Sequence, residues 1–536
     1  MPIRFLPNDP LAQDAPPTRE QVARLDPADP WAGFSYTATI LEDVYPIDSP
    51  EFLFWQCREA ALATLDAWAA LTAPLTSWQN GQRLLALKHD GGRGLNAHYN
   101  RSEVSFLRWK TDTRLTHAGA STDAVAHEVG HALLDVLRPE LWDSVYTETA
   151  AFHEAFGDCM ALLVSLFDAP SRQALLQAGA QLRAANFLEG VAEDVAEAIR
   201  LENGPGHPQA LPRRALNTLQ WEIPINLPPI GPPALLTAEA HSFSQIFTGC
   251  FYDTVCNIFA LQPTQDEQGL LAAAQTAGRL LIAGARDAPE VARFFQAVGR
   301  AMILADEAAS GGQHHQAIRD GFAKHNVAIG SSVMLAPTLG LAGPAPSVDT
   351  AAGRALLPAA AREDLLARIG ARGRGRLRVT ALELGGRAVA RAVHRRSVPL
   401  AALDRRLRGV VVPAVESVLV GSSAARAVVL GQLPDASTTV DEVTHFVRTL
   451  LEGGALVLAA VKRAATRTAA DGPFLPTHAL HARAGKKVLK RIRFTCCPGL
   501  PGGGVQPSPG RQDERPPRAS GWAWTAAPAM PTPRAG

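Results

Sequence analysis

The chain is poor in cysteine, with six in 536 residues and no C-x-x-C pair. Cys57, Cys159, Cys250 and Cys256 sit in apolar runs of helical character, and Cys496-Cys497 are adjacent at the end of a basic strand. Neighbouring cysteines rarely chelate one ion, so a disulfide framework and a cysteine-based metal site are both excluded. Aromatic residues make up 6% of the chain and do not interleave with basic clusters, so no nucleic-acid motif stands out. No stretch approaches the roughly 20 apolar residues of a membrane span. The N-terminus, Met1 to Pro10, lacks the apolar core of a secretory signal. The expectation is a cytoplasmic protein, with export by an unrecognised route left open.

What is present is a sizeable apolar fraction, 47%, enough for two or three domains with substantial cores. Within it, His127-Glu128-Val129-Gly130-His131 places two imidazoles four residues apart. On a helix both rings project from one face, where they can grip one metal ion. Ser121-Thr122-Asp123 supplies N-cap chemistry, an apolar pattern from Ala124 to Leu137 follows, and Pro139 stops the helix. Two neutral imidazoles and a carboxylate leave a fourth tetrahedral position open at zinc, which marks a catalytic site. Glu128 is placed to take a proton from the metal-activated water. The third ligand is expected on a following helix, where Glu154 comes 23 residues after His131. Asp158, one turn on, is placed to accept the remaining N–H of a ligand histidine, His127, and fix its tautomer.

Residues 121–131, S-T-D-A-V-A-H-E-V-G-H, resemble the zinc helix of the thermolysin-like (gluzincin) metallopeptidases, with some fungalysin-like character, and F-H-E-A-F-G-D resembles that family's glutamate segment. Asn96-Ala97-His98-Tyr99-Asn100 is similar to the family's edge-strand motif. The resemblance implies that Asn96 through its side chain and Ala97 through its backbone align a substrate peptide on an unfilled strand edge. It further implies that Tyr146 and His241 face the oxyanion and that Arg214 binds a substrate carbonyl. The family's calcium carboxylates are not evident after the glutamate segment, which reads Met160-Ala-Leu-Leu-Val-Ser-Leu-Phe, so no structural calcium is expected. The His131 to Glu154 spacing exceeds that of thermolysin by a few residues, and His241 lacks the following Asn-Ser-Gly. His314-His315 would point to different faces of a late helix and read as structural or solvent-facing.

The implied fold is α+β: a two-lobed metallopeptidase over residues 1–330, with a mixed α/β lobe at about 30–140 carrying the zinc helix and an all-α lobe at 141–330. A linker at 331–350, a basic α+β accessory domain at 351–497 and a disordered Pro/Gly-rich tail at 498–536 follow. Periodicity places helices at about 50–70, 149–168, 171–185, 191–202, 241–260, 266–284, 288–310, 314–325 and 440–452. Strands are expected at 83–88, 96–109 and 486–495, and a hairpin at 376–393. Residues 331–536 hold 29 Lys and Arg against 13 Asp and Glu, net +16, which leaves the first 330 residues at −15. Docking of the basic part on the acidic part is the favoured reading, with nucleic acid or an anionic surface as the alternative.

The sequence therefore reads as a zinc-dependent endopeptidase acting on peptide or protein substrates. An aminopeptidase is the rival within enzymes, but it would need an acidic anchor for the substrate amine, and no G-x-M-E-N type motif is present. A non-catalytic metal-stabilised scaffold is the rival of another class, and it has no need of the base Glu128.

Overall fold

Glycine decides how closely the two central helices meet. The motif helix runs Thr122–Leu137, opened by Ser121, whose side chain accepts from Ala124 N–H at 3.2 Å. The glutamate helix, Thr147–Phe167, packs against it with nearly every residue buried. A Cβ on Gly130 would come within 2.9 Å of the Gly157 Cα, and one on Gly157 within 2.6 Å of His127 Nδ1. Both positions need the missing side chain for the backbones to approach. This helix is also long and apolar enough to cross a membrane, contrary to the expectation that no segment is. Its apolar window is 94% buried inside the fold, as in a central core helix.

The computed structural model describes residues 1–177, 182–330, 345–346, 348–372, 377–384, 386–422, 425–430, 433–461, 475–483 and 486–496. Across them the chain is a mixed α+β protein, and Met1–Pro501 form one compact unit. Most of the expected linker at 331–350 and the expected tail at 498–536 lie outside the described residues. A five-stranded mixed sheet has the order Phe494–Thr495, Ala97–Tyr99, Glu103–Phe106, Leu84–Lys88, Gly33–Tyr36. Helix Pro50–Leu71, capped by Ser49, packs on the motif helix. On the other side of the glutamate helix lie Ala240–Ala260, Glu267–Asp287 and Phe294–Ser310, with His315–Lys324 against Ala240–Ala260.

The expected single strand at 96–109 is three short strands, Ala97–Tyr99, Glu103–Phe106 and Arg108–Lys110. Asn100 Oδ1 accepts from Ser102 and Glu103 N–H while Arg101 adopts a positive φ of 69°, which turns the chain back on itself. The expected helix at 171–185 is Ala169–Gln177, and the strands Pro2–Phe5, Arg19–Val22 and Gly33–Tyr36 had no clear alternation to announce them.

Towards the C-terminus the expected hairpin forms from Arg378–Leu384 and Arg387–Pro399, and continues to Val411–Gly421 and Val428–Leu430. Helix Ala436–Glu452 is capped by Asp435. The expected final strand at 486–495 divides: Lys486–Arg491 pairs with His478–Arg483, whereas Phe494–Thr495 crosses into the N-terminal sheet. An apolar cluster joins Val145, Tyr146 and Ala150 to Val398, Val412 and Val443. Arg293 bridges Glu148 and Glu442, and Lys490 pairs with Asp143.

Candidate metal centre

The i, i+4 spacing puts His127 and His131 on one face of the motif helix, and the glycine contact brings Glu154 beside them. Nε2 of His127 lies 3.3 Å and Nε2 of His131 3.4 Å from Oε2 of Glu154. All three atoms are buried, and none has a hydrogen-bond partner among the described residues. Ligand atoms of His127, Glu128 and His131 also fall within 4.8 Å of one another, a triad able to hold a metal ion. Both Glu128 carboxylate oxygens are buried without a partner. Orphaned buried polar atoms converging on one point are costly unless something fills the gap. Two imidazoles and a carboxylate form a donor set that suits a divalent metal.

The outer nitrogens are held. His127 Nδ1 meets Asp158 Oδ1 at 2.8 Å, and Asp158 in turn accepts from Arg213 Nη2 at 2.7 Å and Nε at 3.0 Å. His131 Nδ1 meets His153 Nδ1 at 2.9 Å. A proton on His131 Nδ1 satisfies that contact and leaves Nε2 bare for a ligand. Burial opposes charge on His127, but the Asp158 and Glu154 carboxylates outweigh it and push the imidazole up to about 10. Burial pulls His131 down to about 4 and pushes the Glu128 carboxyl well above its ordinary range. Burial also opposes the charge on Glu154, yet His241 and His131 hold it well below that range. Asp158 sits at about 2, since Arg213 and His127 overcome its burial.

His241, at the start of helix Ala240–Ala260, reaches the same point: its Nε2 is 3.1 Å from Glu154 Oε2 and 2.7 Å from the Thr495 carbonyl oxygen, while Nδ1 meets Glu239 Oε1 at 2.9 Å. With acceptors at both ring nitrogens it is an imidazolium donor. Burial disfavours that charge, but Glu154 and Glu239 raise the His241 pKa well above the ordinary value. A groove of about 330 Å³ runs on from His241 past Arg213, Leu216 and Leu235.

At the strand edge, Asn96 Oδ1 accepts from the Ala97 N–H at 2.9 Å, and the Ala97 carbonyl accepts from the Cys496 N–H at 3.1 Å. The edge expected to be unfilled is thus paired, Tyr99 with Phe494 and His98 with Thr495.

Two expected positions fall elsewhere. Tyr146 donates from its hydroxyl to the Val415 carbonyl at 3.1 Å inside the apolar cluster with the C-terminal strands. It is the residue before the glutamate helix, and its hydroxyl is engaged with Val415 rather than with His241. Arg214 is half-exposed and paired with Glu189. It shares the short strand Arg213–Arg214, where successive side chains point to opposite faces, so the neighbour Arg213 is the one that enters the site. Its Nη1 donates to the Cys496 carbonyl at 2.7 Å.

Arg213 as the site arginine, the roles of His153 and the presence of Phe494–Cys496 escaped sequence reasoning. His153 stood inside the glutamate motif as a flank, and nothing local marks a segment that arrives from the far end of the chain. His314, as expected, is structural, bonded to Asp306 at 2.8 Å. A second carboxylate group, Asp9, Asp123 and Glu193, assembles from three distant stretches rather than after the glutamate helix. No protein-family model matches this chain, and no curated protein matches it either.

Proposed function

We propose that the protein is a zinc-dependent endopeptidase of thermolysin-like, two-lobed architecture. The observation that carries the reading is the convergence of three buried ligand atoms that make no hydrogen bond among the described residues, His127 Nε2, His131 Nε2 and Glu154 Oε2, with the Glu128 carboxylate, likewise without one, beside them. Glu154 is the third ligand in this reading because its Oε2 lies within 3.4 Å of both imidazole nitrogens. Bound there, zinc would act as the Lewis acid that makes water nucleophilic near neutral pH.

The remaining work belongs to the chain. Asp158, itself clamped by Arg213, holds the His127 ring in the tautomer that turns Nε2 inward. Glu128 accepts the proton of the attacking water and hands it to the departing amide nitrogen. His241 donates to the substrate carbonyl oxygen, where negative charge develops. The Ala97 carbonyl and Arg213 bind the peptide main chain on the amine side of the scissile bond, so affinity is largely independent of side chains. An aminopeptidase would need an acidic group for the free amine at the start of the strand; Asn96 stands there instead.

Metal analysis of the purified protein, with casein hydrolysis followed in the presence and absence of a chelator, tests the reading. Glu128→Gln should retain about one zinc and lose hydrolysis by several orders of magnitude, whereas His131→Ala and Glu154→Ala should lose the metal itself. Unchanged hydrolysis by Glu128→Gln would end the mechanism.

A further inference from the structure

The segment Phe494–Cys496 lies along the strand edge where a peptide substrate is placed in this reading, and its contacts bracket one peptide bond. On the acyl side, the Thr495 carbonyl oxygen accepts from His241 Nε2 at 2.7 Å. On the amine side, the Cys496 N–H donates to the Ala97 carbonyl at 3.1 Å, and the Cys496 carbonyl accepts from Arg213 Nη1 at 2.7 Å. All three contacts are to main-chain atoms, the form of recognition used when an extended peptide adds to a sheet edge.

Upstream, the Phe494 ring stacks on His153 at 3.7 Å and on His131 at 4.6 Å between ring centres, with the Arg491 guanidinium 4.0 Å away. Phe494 is 1% exposed and belongs to the central core cluster. The segment is held on a short tether. Arg491 ends a strand of a different sheet and is fixed by reciprocal bonds, Arg491 Nε to the Trp142 carbonyl at 3.1 Å and Trp142 Nε1 to the Arg491 carbonyl at 3.2 Å. Only Ile492 and Arg493 separate that anchor from the cleft. A ligand tethered over so few residues has an effective concentration on the order of millimolar or above, which outcompetes peptides in free solution.

We propose that Phe494–Cys496 is the protein's own first substrate and that the Thr495–Cys496 bond is cut in cis, which removes the Cys496 contacts to Ala97 and Arg213 and so frees the amine side of the cleft and loosens the hold of Phe494–Thr495 against other peptides. The inference rests on the endopeptidase reading above. In the step, a water oxygen bonds to the Thr495 carbonyl carbon, the bond from that carbon to the Cys496 nitrogen breaks, and Glu128 carries the water proton to that nitrogen. The products are a carboxyl group on Thr495 and a new amino terminus at Cys496. Until then the amine side of the cleft is held by Cys496, and the chain is latent towards other proteins.

The test uses the full chain, prepared metal-free and then supplied with zinc, followed by intact mass and N-terminal sequencing. A fragment beginning at Cys496 should form with a first-order rate unchanged over a hundredfold dilution, and Glu128→Gln should stay whole. Occupancy is read separately without metal: a fluorescent extended peptide should bind Cys496→Pro, which lacks the N–H donor, and Phe494→Asp at least tenfold more tightly than the unaltered chain. Equal peptide binding by all three proteins overturns the proposal, as does cleavage at another bond or a rate that scales with protein concentration. If the chain stays whole while Phe494→Asp hydrolyses casein, self-cleavage is wrong and the endopeptidase reading stands. If neither the zinc-loaded unaltered chain nor Cys496→Pro cleaves itself or casein, both fail together.

Discussion

Arg213 and Arg214 are chemically identical neighbours with opposite surroundings. Arg213 is buried between Asp158 and the Cys496 carbonyl, while Arg214 faces outward to Glu189. Arg213→Ala should lower kcat/KM of the zinc-loaded protein on a fluorogenic peptide by roughly 10- to 100-fold, since it removes both a carbonyl donor and the group that orients Asp158. Arg214→Ala should stay within about twofold, because its side chain pairs with Glu189 rather than with Asp158 or the Cys496 carbonyl. Equal losses would refute the assignment. Asp158→Asn probes the same chain of contacts one step inward: zinc affinity by competition with a chromogenic chelator should fall about 10- to 100-fold with the fold intact.

At the scale of elements, the candidate metal centre depends on how closely two helices approach. Gly157 faces the His127 ring so tightly that a Cβ there would stand 2.6 Å from Nδ1, whereas a Cβ on Gly206 would meet nothing within 4 Å. Gly157→Ala should therefore cost about 1–3 kcal/mol through overpacking and weaken zinc binding, because the imidazole must move to make room. Gly206→Ala should stay within about 0.5 kcal/mol. Paired urea melts and zinc titrations would show it; an unperturbed zinc affinity in Gly157→Ala would mean that the helices can part without disturbing the ligands.

Over the whole molecule, the acidic and basic parts meet through an apolar cluster as well as through charges. Glu148 lies in this region, wholly buried, joined to Arg293, to the Trp221 indole N–H and to the Phe295 N–H. Burial outweighs these partners and lifts its carboxyl to about 7, from an ordinary 4.5. The folded state therefore holds this proton more strongly than the unfolded chain. Its contribution to stability is fully present below pH 4.5 and is lost as the pH rises through 7. Between pH 5 and 8 the wild type should lose on the order of 1–3 kcal/mol that Glu148→Gln does not lose, measured as the difference in urea midpoints. A parallel slope in both proteins would place the titration elsewhere.

The histidine pair, Glu128 between them, Glu154 and Asp158 are legible in the sequence because helix geometry is local: residues four apart share a face whatever the rest of the chain does. The capped helices follow for the same reason, from Ser121 before the motif helix to Asp435 before Ala436–Glu452. Tertiary structure alone decided which of two adjacent arginines enters the site, why Tyr146 leaves it, and where Phe494–Cys496 goes. A strand side chain changes face with a one-residue shift, so Arg213 and Arg214 cannot be told apart until the pairing register is set. Thr495 meets His241 across 254 residues and Cys496 meets Arg213 across 283. Such contacts are made by backbone atoms that every residue carries, so only the closing of the whole chain brings that peptide bond to the metal centre.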